Sequence, residues 1–157
     1  SAYATEGDTV LLYNNITLAE DVTVDKAVTI DGQGYTVSKD AAVTTGITVT
    51  AFYSTTPPAI QNVTLDGFGL TTGAGLDQLT LTDVIINNGT DAAVTVNTGK
   101  VFITSGEYTG TLTDNDGSLE ISGGTFSRDP SHFLAEGYEA YQAANRYWEV
   151  QAFAPES

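Results

Sequence analysis

The chain has no cysteine and no methionine, only 4 prolines, and 5 basic residues against 20 acidic ones in a length of 157. Each shortage excludes something. Without cysteine there is no disulfide framework, no Cys-type zinc site and no thiol nucleophile. Position 1 is Ser, so the chain reads as a mature protein or an excised fragment, with no signal peptide remaining. No apolar run approaches the ~18 residues of a membrane span, so no membrane insertion is expected. The formal charge of −15 repels nucleic acid and anionic membrane at long range, and both are set aside as partners. The same acidity suits solubility in an extracellular setting and leaves divalent cations as candidate ligands.

What is present points to strands. Hydrophobic residues make up 41% of the chain, enough for a core, and the length fits one domain. Thr is abundant, and β-branched side chains favour strands over helices. A short phrase recurs six times: Val28-Thr29-Ile30, Ile47-Thr48-Val49, Val63-Thr64-Leu65, Leu79-Thr80-Leu81, Val101-Phe102-Ile103 and Leu119-Glu120-Ile121. A small polar residue follows each one. Repeats of this length mark a coil that stacks on itself.

The last aliphatics of the phrases, Ile30, Val49, Leu65, Leu81, Ile103 and Ile121, are expected to form one inward column. One strand cannot fill the gap between them, so each coil must hold several strands and corners. A second column runs through Tyr35, Ser54, Leu70, Ile86, Tyr108 and Phe126. A third runs through Val24, Val43, Ile60, Leu76, Val96 and Leu112. Alternation along each strand sends aliphatics inward and Thr outward. Gly-containing corners such as Asp31-Gly32-Gln33-Gly34 and Asp66-Gly67-Phe68-Gly69 follow the phrases, where glycine supplies positive φ.

The expected architecture is all-β: a right-handed parallel β-helix of about six to seven three-faced coils. Six coils at the usual strand spacing span roughly 29 Å. Residues 1–127 form the helix, including an entry coil at Asp8–Leu12 and Ile16–Leu18. Residues 128–157 form a C-terminal cap packed on the last coil, within one structural domain. The cap carries Phe133, Tyr138, Tyr141, Tyr147 and the only Trp, Trp148. Asp129 as cap and Pro130 at the first helical position start a short helical turn there, and Tyr138 to Val150 suits a hairpin or an irregular strand pair. Open coil ends expose unpaired backbone, so end-to-end self-association is a candidate property.

Two stretches carry a resemblance. Gly7-Asp8-Thr9-Val10-Leu11-Leu12, Asn15-Ile16-Thr17-Leu18 and Val28 to Val37 resemble the opening of pectate-lyase-like right-handed β-helix proteins. Ile121 to Ser127, Asp129-Pro130-Ser131 and Leu134 to Tyr138 look like a module ending common in large surface proteins of Gram-positive gut bacteria. The resemblance implies an extracellular, bacterial cell-surface location within a longer multidomain chain. It transfers no catalytic residue.

Enzymes of that fold cleave acidic polysaccharides with paired acids, or with calcium and a basic residue. Asp31 and Asp66 are the nearest pair, expected two coils apart in one column at about 9.6 Å. Both open Asp-Gly turns, and corner roles compete with catalysis. His132 is the only histidine, and nothing beside it makes a triad. No catalytic set is complete, so the chain is read as a non-enzyme, with a polysaccharide-active fragment as the alternative. Asp114, Asp116 and Glu120 have the flavour of a calcium loop but fall short of its ligand series, and an ordinary turn competes. No other cofactor is called for. Thr29, Thr48, Thr64 and Thr80 are expected to stack in a ladder, the remote basis for ice binding or simply good strand surface.

A stalk or adhesion role is the leading functional expectation, glycan binding is a candidate addition to it, and a purely structural module that binds nothing stays open. Phe52 and Tyr53 sit on an excursion that ends at Pro57 and Pro58. Sugars stack on exposed aromatic faces, and excursions from a rigid coil are where repeat proteins place function. Against this, Phe52 is better suited to covering the coil from outside, and Tyr53 is suited to either role about equally. The chain is therefore expected to be a stalk or adhesion module, with a host or microbial glycan as its candidate ligand.

Overall fold

The structure is a computed structural model and describes residues 4–154. Coil 1 consists of β1 (Thr9–Leu11), β2 (Ile16–Leu18) and β3 (Val22–Lys26). Coil 2 consists of β4 (Thr29–Asp31), β5 (Thr36–Lys39) and β6 (Ile47–Phe52). In coil 3, β7 (Ala59–Asp66) bends across two faces and β8 (Leu70–Thr72) forms the third. In coil 4, β9 (Gln78–Val96) runs over all three. Coil 5 is β10 (Lys100–Ile103) and β11 (Gly106–Asp114), and a sixth turn has β12 (Ser118–Ile121) and β13 (Gly124–Phe126). Each strand pairs in parallel with its counterpart one coil on. The fold is an all-β solenoid of about five turns, with two faces of a further turn, against an expectation of six to seven.

The shortfall comes from the columns. Pairing joins Val10, Ile30, Ile60, Leu81, Ile103 and Ile121 on the first face. Val49 lies on the third face, between Val24 and Thr72. Leu65 lies on the second face, between Val37 and Ile86. The expected single column of Ile30, Val49, Leu65, Leu81, Ile103 and Ile121 is therefore a composite of three. Alternation makes every such phrase look alike, whichever face it lies on. Ile86, Tyr108 and Phe126 do share a column, as expected.

In coils 3 and 4 the corner between first and second faces is a single residue. Asn62 and Asp83 take it with φ of 53° and 51°, a left-handed conformation that Asn and Asp tolerate best after glycine. Their polar side chains then stack between coils. Ser105 Oγ donates to Asp83 Oδ1 at 2.9 Å and accepts the Asp83 N–H at 2.8 Å. Asp31 accepts hydrogen bonds from Gln33 N, Gln61 Nε2 and Asn62 Nδ2 at 2.8, 3.3 and 3.4 Å. Its carboxyl is lowered from the usual range, first by the Gln33 amide.

The interior is one continuous apolar column from Ala27 to Val150. Tyr108 and Phe126 stack within it at 5.1 Å, and Tyr108 Oη donates to the Ser105 carbonyl at 2.9 Å. Thr72 is the buried polar residue of the core. Its Oγ1 donates to Thr98 O at 2.8 Å and accepts Thr98 N–H at 3.2 Å, so its desolvation is compensated.

After the sixth turn the direction reverses. A 3₁₀ turn (Ser131–Phe133) follows Asp129, whose Oδ1 accepts the Ser131 N–H at 2.9 Å. Then β14 (Tyr138–Gln142) and β15 (Trp148–Ala152) form an antiparallel hairpin, and β15 adds antiparallel to β13. Phe133, Leu134, Tyr138 and Trp148 pack against the core. At the other end, Leu11, Tyr13 and Ile16 are exposed on coil 1. An apolar cavity of about 160 Å³ opens there among Val10, Leu12, Ile16, Leu18, Val22 and Val24.

Candidate functional site

Phe52 and Tyr53 differ in environment. Outward Thr48, Thr50 and Phe52 alternate with buried Val49 and Ala51 along β6. Phe52 ends that row with its ring 73% exposed, beside Lys26 in register. Tyr53 instead packs against the core. Its phenol is raised from its ordinary range by partial burial and then by Asp77, which it also hydrogen-bonds. The structure thus divides the pair into one presented ring and one packed ring.

The excursion after Tyr53 is clipped from below. Glu6 Oε1 accepts the Ser54 N–H at 2.6 Å, and Oε2 accepts those of Thr55 and Thr56 at 2.9 and 3.2 Å. Thr55 Oγ1 adds a bond of 2.7 Å. These donors, the Thr55 hydroxyl foremost, hold the Glu6 carboxyl down at about 2. Asp21 does the same for the next corner. Its Oδ1 accepts the amides of Thr44, Thr45 and Gly46 at 3.0, 2.9 and 3.0 Å, and its carboxyl lies near 2, the Gly46 amide contributing most.

The three acids of the calcium expectation, Asp114, Asp116 and Glu120, lie apart. Glu120 lies on the first face, 3.3 Å from Lys100 Nζ, which also sits 4.8 Å from the Phe102 ring. Asp114 ends the third face and Asp116 lies on the turn beyond it. The corner between them and β12 carries Glu120 onto another face. Among the described residues no three His, Cys, Asp or Glu side chains form a metal-sized group. Asp31 and Asp66 are also separated. Asp31 pairs with Gln61 on the first face and Asp66 with Asn87 on the second, so they share no column. His132 is exposed and meets Phe133 edge-on at 5.0 Å.

The threonine ladder exists, but not where the phrases put it. Thr29 and Thr80 lie on the first face with Ala59 between them, Thr48 on the third and Thr64 on the second. The continuous column is Thr23, Thr48, Thr71, Thr95 and Thr113, one per coil on the third face.

Beside that column lies a cleft of about 380 Å³ that phrase spacing does not reveal. It forms at the corner between second and third faces because corner lengths differ. Coil 2 inserts residues 40–46 there and coil 4 inserts 88–93, while coil 3 turns on Gly67, Phe68 and Gly69 alone. The short corner is recessed between two long ones. Phe68 is buried and floors the cleft. Extending the strand register past Leu65 brings Lys39, Gly67 and Asn88 into one stack. Gly67 has φ of 88°, and a Cβ there would meet no atom within 4 Å. The glycine leaves an empty rung between Lys39 and Asn88, about 9.6 Å apart by strand spacing.

The walls are polar. Lys39 Nζ donates to the Val43 carbonyl at 3.2 Å. Asn88 Nδ2 donates to Ala92 O at 2.6 Å, and among the described residues its Oδ1 accepts no hydrogen bond. Asp91, Thr45, Thr71 and Thr95 complete the lining. The signal for this site was the unequal distance between inward columns, and it becomes legible only once those columns are assigned to the right faces. The class defined here is a parallel β-solenoid with a polar cleft and, in Phe52, the most exposed of its large apolar side chains among the described residues. No protein-family model, curated protein or solved structure matches the chain.

Proposed function

We propose that the chain is a non-catalytic, extracellular stalk or adhesion module of a larger bacterial surface protein, and that it contacts a glycan through Phe52. The observation that carries this is the outward Phe52 ring on a strand whose inward neighbours are locked in the core. An exposed ring carried on a paired strand offers a stacking plane to a sugar. The outward hydroxyls of Thr48 and Thr50 continue the row and are placed to hydrogen-bond a sugar lying along β6. Continuous cross-coil pairing makes the scaffold a stiff spacer, which suits a stalk.

The test is binding of the purified domain to plant, mucin and microbial glycans, with and without calcium. A saturable hit that weakens about tenfold in Phe52→Ala, with thermal midpoint unchanged, supports the reading. Tyr53→Ala loses packing and is the poorer probe. A hit indifferent to Phe52 places the glycan elsewhere, and a panel without hits leaves the stalk role alone.

The five-rung threonine column favours a second reading, adsorption to ice. Beyond it the outward positions are Thr50, Gly73, Asn97 and Asn115 rather than a second threonine column. Thermal hysteresis that disappears in Thr48→Lys is the result this reading requires.

A further inference from the structure

The cleft between the coil 2 and coil 4 corners is separate from Phe52, and its charges are unusual for this chain. Lys39 is one of only 5 basic residues in a molecule of net charge −15. Acidic partners are abundant, and Lys100 has one in Glu120. Lys39 has none: among the described residues no carboxylate lies within ion-pair distance of it. An ammonium has three donors, and only one is used, on Val43 O. Asp91 lines the same cleft from the other long corner, and among the described residues its carboxylate accepts no hydrogen bond and forms no ion pair. Two opposite charges therefore line one cleft without meeting.

We propose that this cleft binds a short zwitterionic peptide, its free carboxylate on Lys39 and its free ammonium on Asp91. Charge selects this class in two ways. The net −15 repels anionic ligands at long range, whereas a zwitterion carries no net charge to repel. A purely anionic ligand would also meet Asp91, and a purely cationic one Lys39. The spacing of the two backbone corners sets the scale of the ligand. The two corners are two rungs apart, about 9.6 Å, and a chain reaches ~3.3–3.6 Å per residue, which matches two or three residues. The empty rung over Gly67 leaves room for that backbone above the Phe68 floor. Thr71 and Thr95 hydroxyls and Asn88 Oδ1 supply hydrogen bonds to its peptide groups.

The experiment is titration of the domain with trialanine, N-acetyl-trialanine, trialanine amide and the doubly blocked peptide, followed through the Gly67 and Asn88 amide resonances. Blocking either terminus is expected to weaken binding about tenfold or more. Lys39→Gln retains a donor for Val43 O and should erase the difference between trialanine and its amide. Asp91→Asn should erase the difference between trialanine and its acetylated form. Affinity should also fall as pH rises through the peptide amino group, near ~8, in the parent but not in Asp91→Asn. Lys39→Arg keeps the charge and should keep the preference. Equal binding of free and doubly blocked peptide overturns the proposal, as does the absence of any shift at millimolar trialanine. Acetate or galacturonate binding with the same Lys39 dependence overturns it in favour of a simple anion subsite. Glycan binding at Phe52 is scored on the same samples by Phe52→Ala, so either site can fail alone.

Discussion

Gly46 shows how little room a solenoid corner leaves. It ends the long corner of coil 2 with φ of 78°, and a Cβ added there would lie 2.4 Å from Phe68 Cδ2. Phe68 is itself 3% exposed and cannot swing away without opening the core. Gly46→Ala therefore combines left-handed strain with overpacking and should cost about 2–4 kcal/mol, measured by chemical denaturation. Tyr108→Phe is the milder counterpart. It leaves the stack on Phe126 intact and removes the bond to Ser105 O, for a loss of about 1 kcal/mol. Gly46 was recognisable in the sequence only as a residue near a turn. Its contact with Phe68 joins coils 2 and 3, and nothing local encodes it.

At the scale of elements, two carboxylates of coil 1 hold the irregular segments of coil 2. Glu6 gathers the amides of residues 54–56, and Asp21 those of residues 44–46. Both carboxyls lie near 2 in the folded chain, against ordinary values of 4.5 for Glu6 and 3.8 for Asp21. A depressed folded value means that stabilisation is complete above the ordinary value and is lost as pH falls through the folded one. Thermal midpoints should accordingly drop between about pH 4.5 and pH 2. Amide exchange should rise first at residues 44–46 and 54–56, before the core strands open. In Glu6→Gln/Asp21→Asn those amides should already exchange fast at neutral pH, and the acid dependence should flatten. An unchanged acid profile in the double variant would show that the clips do not set acid stability. The Asp21 clip also holds a wall of the cleft, so the same variant should weaken trialanine binding. The excursion itself was legible from Pro57 and Pro58; its anchor 48 residues upstream was not.

Across the whole molecule, stability rests on a core in which each coil contacts only its neighbours. Ile103 sits inside the first-face column between Leu81 and Ile121 and is fully buried. Ile103→Ala should cost about 2–5 kcal/mol. The same change near the open end, at Ile30, which is only partly buried, should cost less. Equal losses at both positions would contradict a stability gradient along the coil. Guanidinium unfolding of the two variants makes the comparison.

The sequence by itself determined that the chain forms strands, that aliphatics face in and Thr out, and that glycine-bearing corners join short faces. Those features depend on alternation and on residue conformational preference, which act over a few neighbours. It also marked a short helical turn near Asp129 and Pro130, which the structure sets at Ser131–Phe133 with Pro130 as its N-cap, while the choice of an antiparallel hairpin over an irregular strand pair came from the tertiary structure. Only the tertiary structure decided which face each phrase occupies, because Ile47-Thr48-Val49 and Leu79-Thr80-Leu81 are equivalent until pairing partners are known. From that assignment follow the true threonine column, the separation of Asp31 from Asp66, and the removal of Glu120 from Asp114. The cleft depends on it most of all. It exists because three successive corners of unequal length are stacked at one strand spacing, and stacking is a relation between coils that no single stretch of residues contains.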